Sequence, residues 1–300
     1  MRPAVLLLAY GGPERLAEIE PFMQKLLRRK TLPPGLVKRV EKKYAAIGGG
    51  SPLPGICRKI RDKLDTELAD LEVFLAFRYT APTIEEITAE IKGQGYDTIM
   101  ALSLSPHSSI ISSRAYYESL GKAAAGEGLQ LKRLENWYRE EAYNRLLADR
   151  IEEAAAANRL DLAAPDTHLL FSGHNIPQSY IEKGDTYVTE IETNIAAVRK
   201  LLPQVRNSSL AWQSKGNAPG AWLEPEIEPH LEDLRQAGVK RLLVVPVSFC
   251  MDHLETLYDL DLELQEFCRG LGLNLYRTRP ANADDDFISM LAGFIQRQTP

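Results

Sequence analysis

The feature that most constrains the fold is a regular alternation of short apolar runs and amphipathic segments along all 300 residues. The apolar runs are rich in Val, Ile and Leu, whereas the segments between them carry apolar residues at helical spacing. This order is typical of α/β proteins, in which helices cover both faces of parallel sheets. The predicted strands are Ala4–Tyr10, Val73–Tyr79, Thr98–Leu104, Leu129–Trp137, Thr167–Ser172, Leu210–Gln213, Leu242–Phe249 and Leu273–Arg277.

The alternation falls into two similar rounds of four strands. The third strand of each round ends in a comparable loop, Ser105-Pro106-His107 in one and Cys250-Met251-Asp252-His253 in the other, which suggests a duplication. We therefore predict two Rossmann-like halves, residues 1–150 and 151–300, each a four-stranded parallel sheet flanked by helices. Open α/β sheets bind ligands beyond the carboxyl ends of their strands, so we expect an active-site cleft between the halves.

Three helical segments between the first two predicted strands exceed what a simple crossover needs. They occupy residues 14–70, and we predict that this insertion forms the lip of a ligand pocket. Ordinary helix packing explains its apolar residues equally well. The candidates for the lip are Phe22, Met23, Leu26, Leu27 and Leu36.

Composition excludes several functional classes. The net charge of -5 gives no broad basic surface for nucleic acid. Cys57, Cys250 and Cys268 are too few and too widely spaced for a disulfide framework, a CxxC zinc site or a four-cysteine iron–sulfur cluster. No stretch reaches about 18 uncharged apolar residues, the length that spans a membrane. We expect a soluble cytoplasmic protein, and a monomer.

An acidic stripe follows the apolar run Leu242–Phe249. We expect Asp252 to cap a helix on which Glu255, Asp259 and Glu263 recur every four residues, and therefore share one side. A solvated helix face would have the same pattern. Because Glu255 lies just beyond a buried strand, where α/β sheets bind ligands, a functional stripe is favoured.

The five histidines differ in their expected roles. His168 falls in a strand and His230 in a helix, so both are expected to be structural, and His253 is expected to pack or cap at a helix start. His107 and His174 instead follow strands at their carboxyl ends.

His174 and Glu255 could converge because each follows a strand end in the second half. An imidazole beside a carboxylate suits a base that works near neutral pH. The same two groups also make a sparse site for ferrous iron that leaves most coordination positions open.

Six segments, in the same order, resemble the motifs of the ferrochelatase family. They are AYGGP (9–13), KYAAIGGGSPL (43–53), LSPHSS (104–109), LFSGHNIPQSYIEKGDTY (170–187), WQSKGNAPGAWLEP (212–225) and VPVSFCMDHLETLYDLD (245–261). The resemblance covers nearly the whole chain and implies the chelatase-like form of the two-halved fold. It also implies insertion of ferrous iron into a porphyrin, protoporphyrin IX or coproporphyrin III, with release of two protons in haem synthesis. Iron is then a substrate, and no tightly bound cofactor is expected.

The resemblance also implies roles for individual residues. His174 and Glu255 match the catalytic and metal-binding pair, and Asp259 and Glu263 continue a path for protons or metal. The positions that match porphyrin-lining residues are Tyr10, Lys43, Tyr44, Ser51 and Tyr116.

The sequence departs from the family pattern at two positions. Relatives that make coproporphyrin haem carry an arginine at position 27, where this chain has Leu27, so we expect Arg28 or Arg29 to bind the propionates instead. Gly173 stands where alanine is common, a change that we expect to be tolerated.

Three other functions remain open at this point. A cobalt chelatase of the same fold, acting on sirohydrochlorin, is disfavoured by WQSKGNAP and DHLETLYD. The acidic stripe and His174 argue against a non-catalytic two-lobed ligand-binding protein, and a metal-dependent hydrolase would need a third clustered ligand. Within the family, Tyr10 and the LSPHSS segment favour coproporphyrin. The apolar lip could also contact a membrane peripherally.

Overall fold

The strands form two four-stranded parallel sheets, which confirms the predicted α/β class. A computed structural model describes residues 2–216 and 218–299. The strands of the first sheet are β1 Pro3–Ala9, β2 Val73–Phe77, β3 Thr98–Ser103 and β4 Gln130–Leu134. Those of the second sheet are β5 Thr167–His174, β6 Ser208–Gln213, β7 Arg241–Val245 and β8 Asn274–Arg277.

Both sheets have the same strand order. The first runs β2-β1-β3-β4 and the second β6-β5-β7-β8. In each half the second strand pairs with one side of the first strand, and the third strand crosses over to pair with its other side. The central strands β1 and β5 are buried along nearly their whole length, as expected where helices cover both faces. The repeated order agrees with the duplication suggested by the sequence.

Helices alternate with the strands, and capping residues mark the ends of two of them. Thr83 caps α4 in a capping box with Glu86, and Gly128 ends α5 in the left-handed conformation. The helices of the first half are α1 Ile19–Leu27, α2 Leu36–Ala46, α3 Leu53–Glu67, α4 Ile84–Gly93 and α5 Ser113–Glu127. The others are α6 Glu141–Ala157, α7 Gln178–Glu182, α8 Tyr187–Leu201, α9 Ile227–Gln236, a π-helix Glu255–Leu264, α10 Gln265–Leu271 and α11 Asp285–Gln298. Within the described residues, no helix is both long and apolar enough to cross a membrane.

The chain divides into two compact units whose limits differ from the predicted halves. The first unit is Met1–Trp137 with Met251–Leu254 and Asn282–Pro300, and the second is Tyr138–Cys250 with Glu255–Ala281. The first unit therefore ends before residue 150, and it includes the C-terminal helix α11. The reason is packing, since the buried Phe287 of α11 lies against Trp137, with ring centroids 5.8 Å apart.

The inserted helices of the first unit are present as predicted. Phe22 and Met23 of α1 are buried in a cluster with Tyr44 of α2, while Leu26 and Leu36 pack at its margin. Helix packing thus accounts for these apolar residues. The large apolar side chain that α1 leaves in solvent is that of Leu27, 41% exposed. A role of the insertion as a pocket lip stays a prediction.

Two details of the segment after β7 were predicted wrongly. The strand ends at Val245 and not at Phe249, because Pro246 has no N–H for the sheet and the chain then turns, with Phe249 N–H bonding Pro246 O. Asp252 is not the N-cap of the helix, which begins at Glu255. Its backbone N–H and its carboxylate instead pair with the side-chain amide of Asn282.

Candidate active site

His174 and Glu255 lie together in the second unit. Nδ1 of His174 is 3.5 Å from Oε2 of Glu255, and the two side chains are 30% and 34% exposed. The pair predicted from the strand ends is therefore brought together, partly open to solvent. The His174 ring also lies beside Phe249, with 6.2 Å between ring centroids.

The sheet explains why two residues so distant in sequence meet. His174 is the last residue of β5, and Glu255 follows β7, the parallel neighbour of β5. Parallel neighbours end at the same edge of a sheet, so the segments that leave them are adjacent there.

The carboxylates stand on a π-helix, whereas an α-helix was expected. Glu255 and Asp259 are half-buried, Glu263 is exposed, and the buried residues Thr256, Leu260 and Leu264 form the neighbouring row. Four residues are close to one full turn in either type of helix, so the predicted stripe survives the change. π-Helical turns occur frequently at functional sites.

A further carboxylate beside the stripe was missed in the sequence. Glu228 is exposed as a whole residue, but partial desolvation of its carboxyl group and the nearby charges of Glu226, Asp259 and Glu263 raise its pKa. Glu228 opens α9, a segment remote in sequence from the π-helix, and nothing in the spacing of its neighbours indicates this proximity. Its position extends the acidic surface beyond the three residues of the stripe.

The backbone of His174 is fixed from two sides. Its N–H donates to Ser248 Oγ at 3.1 Å, and its carbonyl accepts from the Tyr187 hydroxyl at 3.2 Å. Tyr187 is buried, which raises its pKa and keeps the phenol protonated as a donor. Both partners fall in segments that resemble family motifs, but their contact with His174 could not be predicted from those motifs.

A second set of bonds holds the π-helix. Gln213 Nε2 donates to the carbonyl of Glu255 at 3.3 Å, and Gln213 Oε1 accepts from the Ser172 hydroxyl. Ser214 Oγ donates to Asp259 Oδ2 at 2.6 Å. The carboxyl end of β6 therefore contacts the first two carboxylate-bearing residues of the π-helix.

The predicted porphyrin-lining residues belong to the first unit. Tyr10 follows β1, and its ring packs against Tyr79, with centroids 4.7 Å apart, and against Phe22. Lys43 is half-buried, and Tyr44 is buried among the inserted helices.

The other two predicted porphyrin-lining residues, Ser51 and Tyr116, are buried in the same unit. Ser51 Oγ accepts from the N–H of Leu53 at the start of α3. Tyr116 is fully buried in the core cluster of the first sheet, and burial raises its pKa. Contact of these five residues with porphyrin stays a prediction.

Arg28 and Arg29, which we expect to bind the propionates because position 27 is a leucine, lie at the end of α1. Arg28 has a left-handed backbone, with φ of 53°, and ends the helix, and both Arg28 and Arg29 are exposed. Their binding of propionates stays a prediction. His107, the other histidine at a strand end, is buried, with 2% of its surface exposed.

Metal-binding capacity is limited to sparse sites in the part of the chain that is described. No group of three or more His, Cys, Asp or Glu side chains there is arranged to hold a metal ion. The His174–Glu255 pair offers one imidazole and one carboxylate, and the remaining coordination positions of a metal would come from other ligands.

Sequence comparisons identify the family to which the chain belongs. The ferrochelatase family profile matches residues 2–299. A ferrochelatase of Geotalea uraniireducens (strain Rf4) is 34% identical over 318 residues, which cover 99% of this chain and 98% of that protein. A coproporphyrin III ferrochelatase of Oceanobacillus iheyensis is 29% identical over 301 residues, covering 98% and 96%.

Solved structures of other chelatases share the fold. SirB from Bacillus subtilis with Fe3+ has a TM-score of 0.61 at 12% identity, covering 99% of this chain and 95% of that chain. CbiX, described as the terminal enzyme for siroheme biosynthesis in denitrifying bacteria, has a TM-score of 0.58 at 14% identity, covering 99% and 100%. These identities establish a common architecture only, whereas the family profile and the sequence relatives extend over the whole length. The chain belongs to the ferrochelatase family.

Proposed function

We propose that this chain inserts ferrous iron into a porphyrin, with His174 and Glu255 as the reacting pair. The observation that supports the pairing most directly is the 3.5 Å approach of His174 Nδ1 to Glu255 Oε2 at the carboxyl edge of the second sheet. Membership of the ferrochelatase family supports the reaction itself.

The chemistry requires the removal of two pyrrole protons as the metal enters. The imidazole of His174 is a general base that can accept one of these protons. Glu255 beside it stabilises the imidazolium that forms and can receive the proton in turn. Iron is the substrate in this scheme, and no resident cofactor is required.

The acidic stripe beyond Glu255 offers a route by which protons can leave the site or ferrous iron can enter it. Asp259 and Glu263 follow at intervals of four residues and become more exposed along the π-helix, which leads from the reacting pair to solvent. Carboxylates take up and release protons, and they are also among the ligands of ferrous iron in proteins. We assign them the relay of protons outward or of metal inward.

Coproporphyrin III is the substrate that the inserted helices favour. Coproporphyrin carries two more propionates than protoporphyrin IX, and α1 and α2 with their connection expose many cations to meet them. The exposed basic residues are Lys25, Arg28, Arg29, Lys30, Lys38, Arg39 and Lys42. The relative from Oceanobacillus iheyensis, named for coproporphyrin III, supports the same choice.

Iron insertion by purified protein tests the reaction. We expect near-total loss of activity in His174→Ala and a large loss in Glu255→Gln, measured as haem formation from ferrous iron and each porphyrin without oxygen. Glu266→Gln, an exposed carboxylate change on α10, is the matched control and should retain activity. Full activity of His174→Ala would refute the role of the imidazole. A wild-type protein that loads cobalt into sirohydrochlorin but no porphyrin would refute the reaction.

Substrate choice is tested by charge reversal. Arg28→Glu with Arg29→Glu should lower kcat/KM for coproporphyrin III about tenfold, and more than for protoporphyrin IX, because two charge-assisted contacts are replaced by repulsion. Lys122→Glu on α5 reverses a single exposed charge outside the insertion and should leave the ratio of the two porphyrins unaltered. Equal effects on both porphyrins would overturn the assignment.

A further inference from the structure

We propose that Gln213 and Ser214, at the carboxyl end of β6, are a positioning pair that fixes Glu255 and Asp259 on the π-helix. This assignment rests on the function proposed above. It adds two residues that act through the carboxylates, Gln213 on the backbone of the first and Ser214 on the side chain of the second.

The backbone conformation of Ser214 allows the side chains of Gln213 and Ser214 both to reach the π-helix. Neighbouring side chains on a strand point to opposite faces, so a straight continuation of β6 would direct only one of them to the π-helix. Ser214 instead has φ of 58°, a left-handed conformation that is unfavourable for a residue with a Cβ. Such strain persists where the surrounding bonds determine it, and it clusters at functional sites.

Buried bonds fix the orientation of the Gln213 amide. Gln213 is 2% exposed, and its Oε1 accepts a hydrogen bond from the fully buried Ser172 hydroxyl. The backbone carbonyl of Glu255 can only accept, so Nε2 must face it, and Oε1 is left to accept from the Ser172 hydroxyl. Loss of either bond would leave a buried polar group unpaired, which is costly.

The same bonds connect the two members of the reacting pair. Ser172 stands two residues before His174 on β5, and Gln213 lies opposite His174 in the register of β5 and β6. Hydrogen bonds therefore run from the strand that carries His174, through Gln213, to the backbone of Glu255. The separation of imidazole and carboxylate is set along this path, which gives Gln213 an effect on the chemical step.

Ser214 has a different effect, because it bonds a side chain further along the stripe. Its hydroxyl holds Asp259 Oδ2 at 2.6 Å, and this bond selects one orientation of that carboxylate. If Asp259 passes iron to the reacting pair, then Ser214 controls how well iron is captured and not how fast it is inserted. The two positioning residues should therefore separate in steady-state kinetics.

Kinetics with ferrous iron and porphyrin test this separation. We expect Ser214→Ala to raise KM for iron about tenfold with KM for porphyrin within twofold of wild type, since one hydrogen bond to a charged group is lost. Gln213→Met, which keeps the shape of the side chain but cannot hydrogen-bond, should lower kcat at least tenfold. Hydrogen–deuterium exchange of residues 255–264 in the substrate-free protein should be faster by about tenfold in Gln213→Met.

Two further variants separate positioning from folding. Ser214→Gly removes the hydroxyl but suits the left-handed backbone, so it should fold and still show the raised KM for iron. Ser214→Asn tolerates that backbone and offers an amide donor, so it should recover at least half of the lost affinity. A wild-type KM for iron in Ser214→Gly, or wild-type kcat and exchange in Gln213→Met, would overturn the proposal. Exchange is measured without substrate, so it decides the role of Gln213 even if wild type inserts no iron.

Discussion

At Gly173, next to His174 in the chain, the absence of a Cβ determines how closely a neighbour can pack. A Cβ built there would lie 2.5 Å from Cζ3 and 2.8 Å from Cε3 of the Trp212 indole, far inside ordinary contact distance. Trp212 is buried, its Nε1 donates to Glu224 O, and its ring lies 5.8 Å from that of Tyr187. Because Tyr187 donates to the carbonyl of His174, the indole packs against two residues that adjoin His174, Gly173 and Tyr187.

Replacement of Gly173 by alanine should therefore destabilise this chain. The indole is bonded and enclosed, so it can move only at the expense of its neighbours, and overpacking of this kind costs about 1–3 kcal/mol. Urea unfolding measures the change. Trp212→Phe removes the ring atoms that clash, so Gly173→Ala should cost less in that background. Equal costs in both backgrounds would show that the indole is not the obstacle.

Single residues also show how far the sequence could predict the site. The strand ends predicted that His174 and Glu255 would lie close together, and the four-residue spacing predicted that Glu255, Asp259 and Glu263 would share a helix. The bond from Gln213 to Glu255 O joins residues 42 positions apart through a backbone atom, and side-chain identity at position 255 has no bearing on it. A contact of this kind leaves no pattern in one sequence, so it appears only in the folded chain.

At the scale of elements, the π-helix is anchored to strands on two sides. The contacts from β6 have been described, and on another side Arg277 of β8 makes a paired contact with Asp261, with Nε–Oδ1 at 2.6 Å and Nη2–Oδ2 at 2.7 Å. The sequence predicted a helix here but not its type, because α- and π-helices both accommodate a four-residue period. The choice between them depends on backbone bonds that tertiary contacts decide.

Arg277→Lys should weaken this anchorage. A lysine keeps the charge but cannot form two parallel bonds to one carboxylate, and the Arg277 side chain is only 12% exposed, so the lost bond is poorly replaced by water. We expect a loss of about 1–2 kcal/mol in the free energy of unfolding, measured in urea. Arg269→Lys, which alters an exposed pair with Glu266, should change stability by less than about 0.5 kcal/mol. Similar losses in both variants would contradict an anchoring role.

At the scale of the whole molecule, the sequence predicted the two sheets but not the division of the chain between units. Strand order repeats, as the two rounds of alternating signals indicated. The sequence could not predict that α11 belongs to the first unit, because the apolar face of a helix can pack on any complementary surface. This helix packs on α3, and its buried Phe287 lies beside Trp137, another residue of the first unit. Local patterns define elements, whereas their partners depend on long-range packing.

Acid stability of the whole protein should depend on a histidine pair outside the site. His168 of β5 and His230 of α9 both bond Ser209 Oγ through Nε2, at 2.8 and 2.7 Å. Burial, then the neighbouring His230 and Arg199, lower the pKa of His168 to about 4. The unfolded chain, with a histidine pKa near 6.5, therefore binds the extra proton between about pH 6.5 and 4, and folding stability falls by up to about 3 kcal/mol as pH falls through that window. His168→Asn should flatten this part of the curve in urea unfolding measured at each pH. An unchanged slope would show that His168 is not the group that titrates.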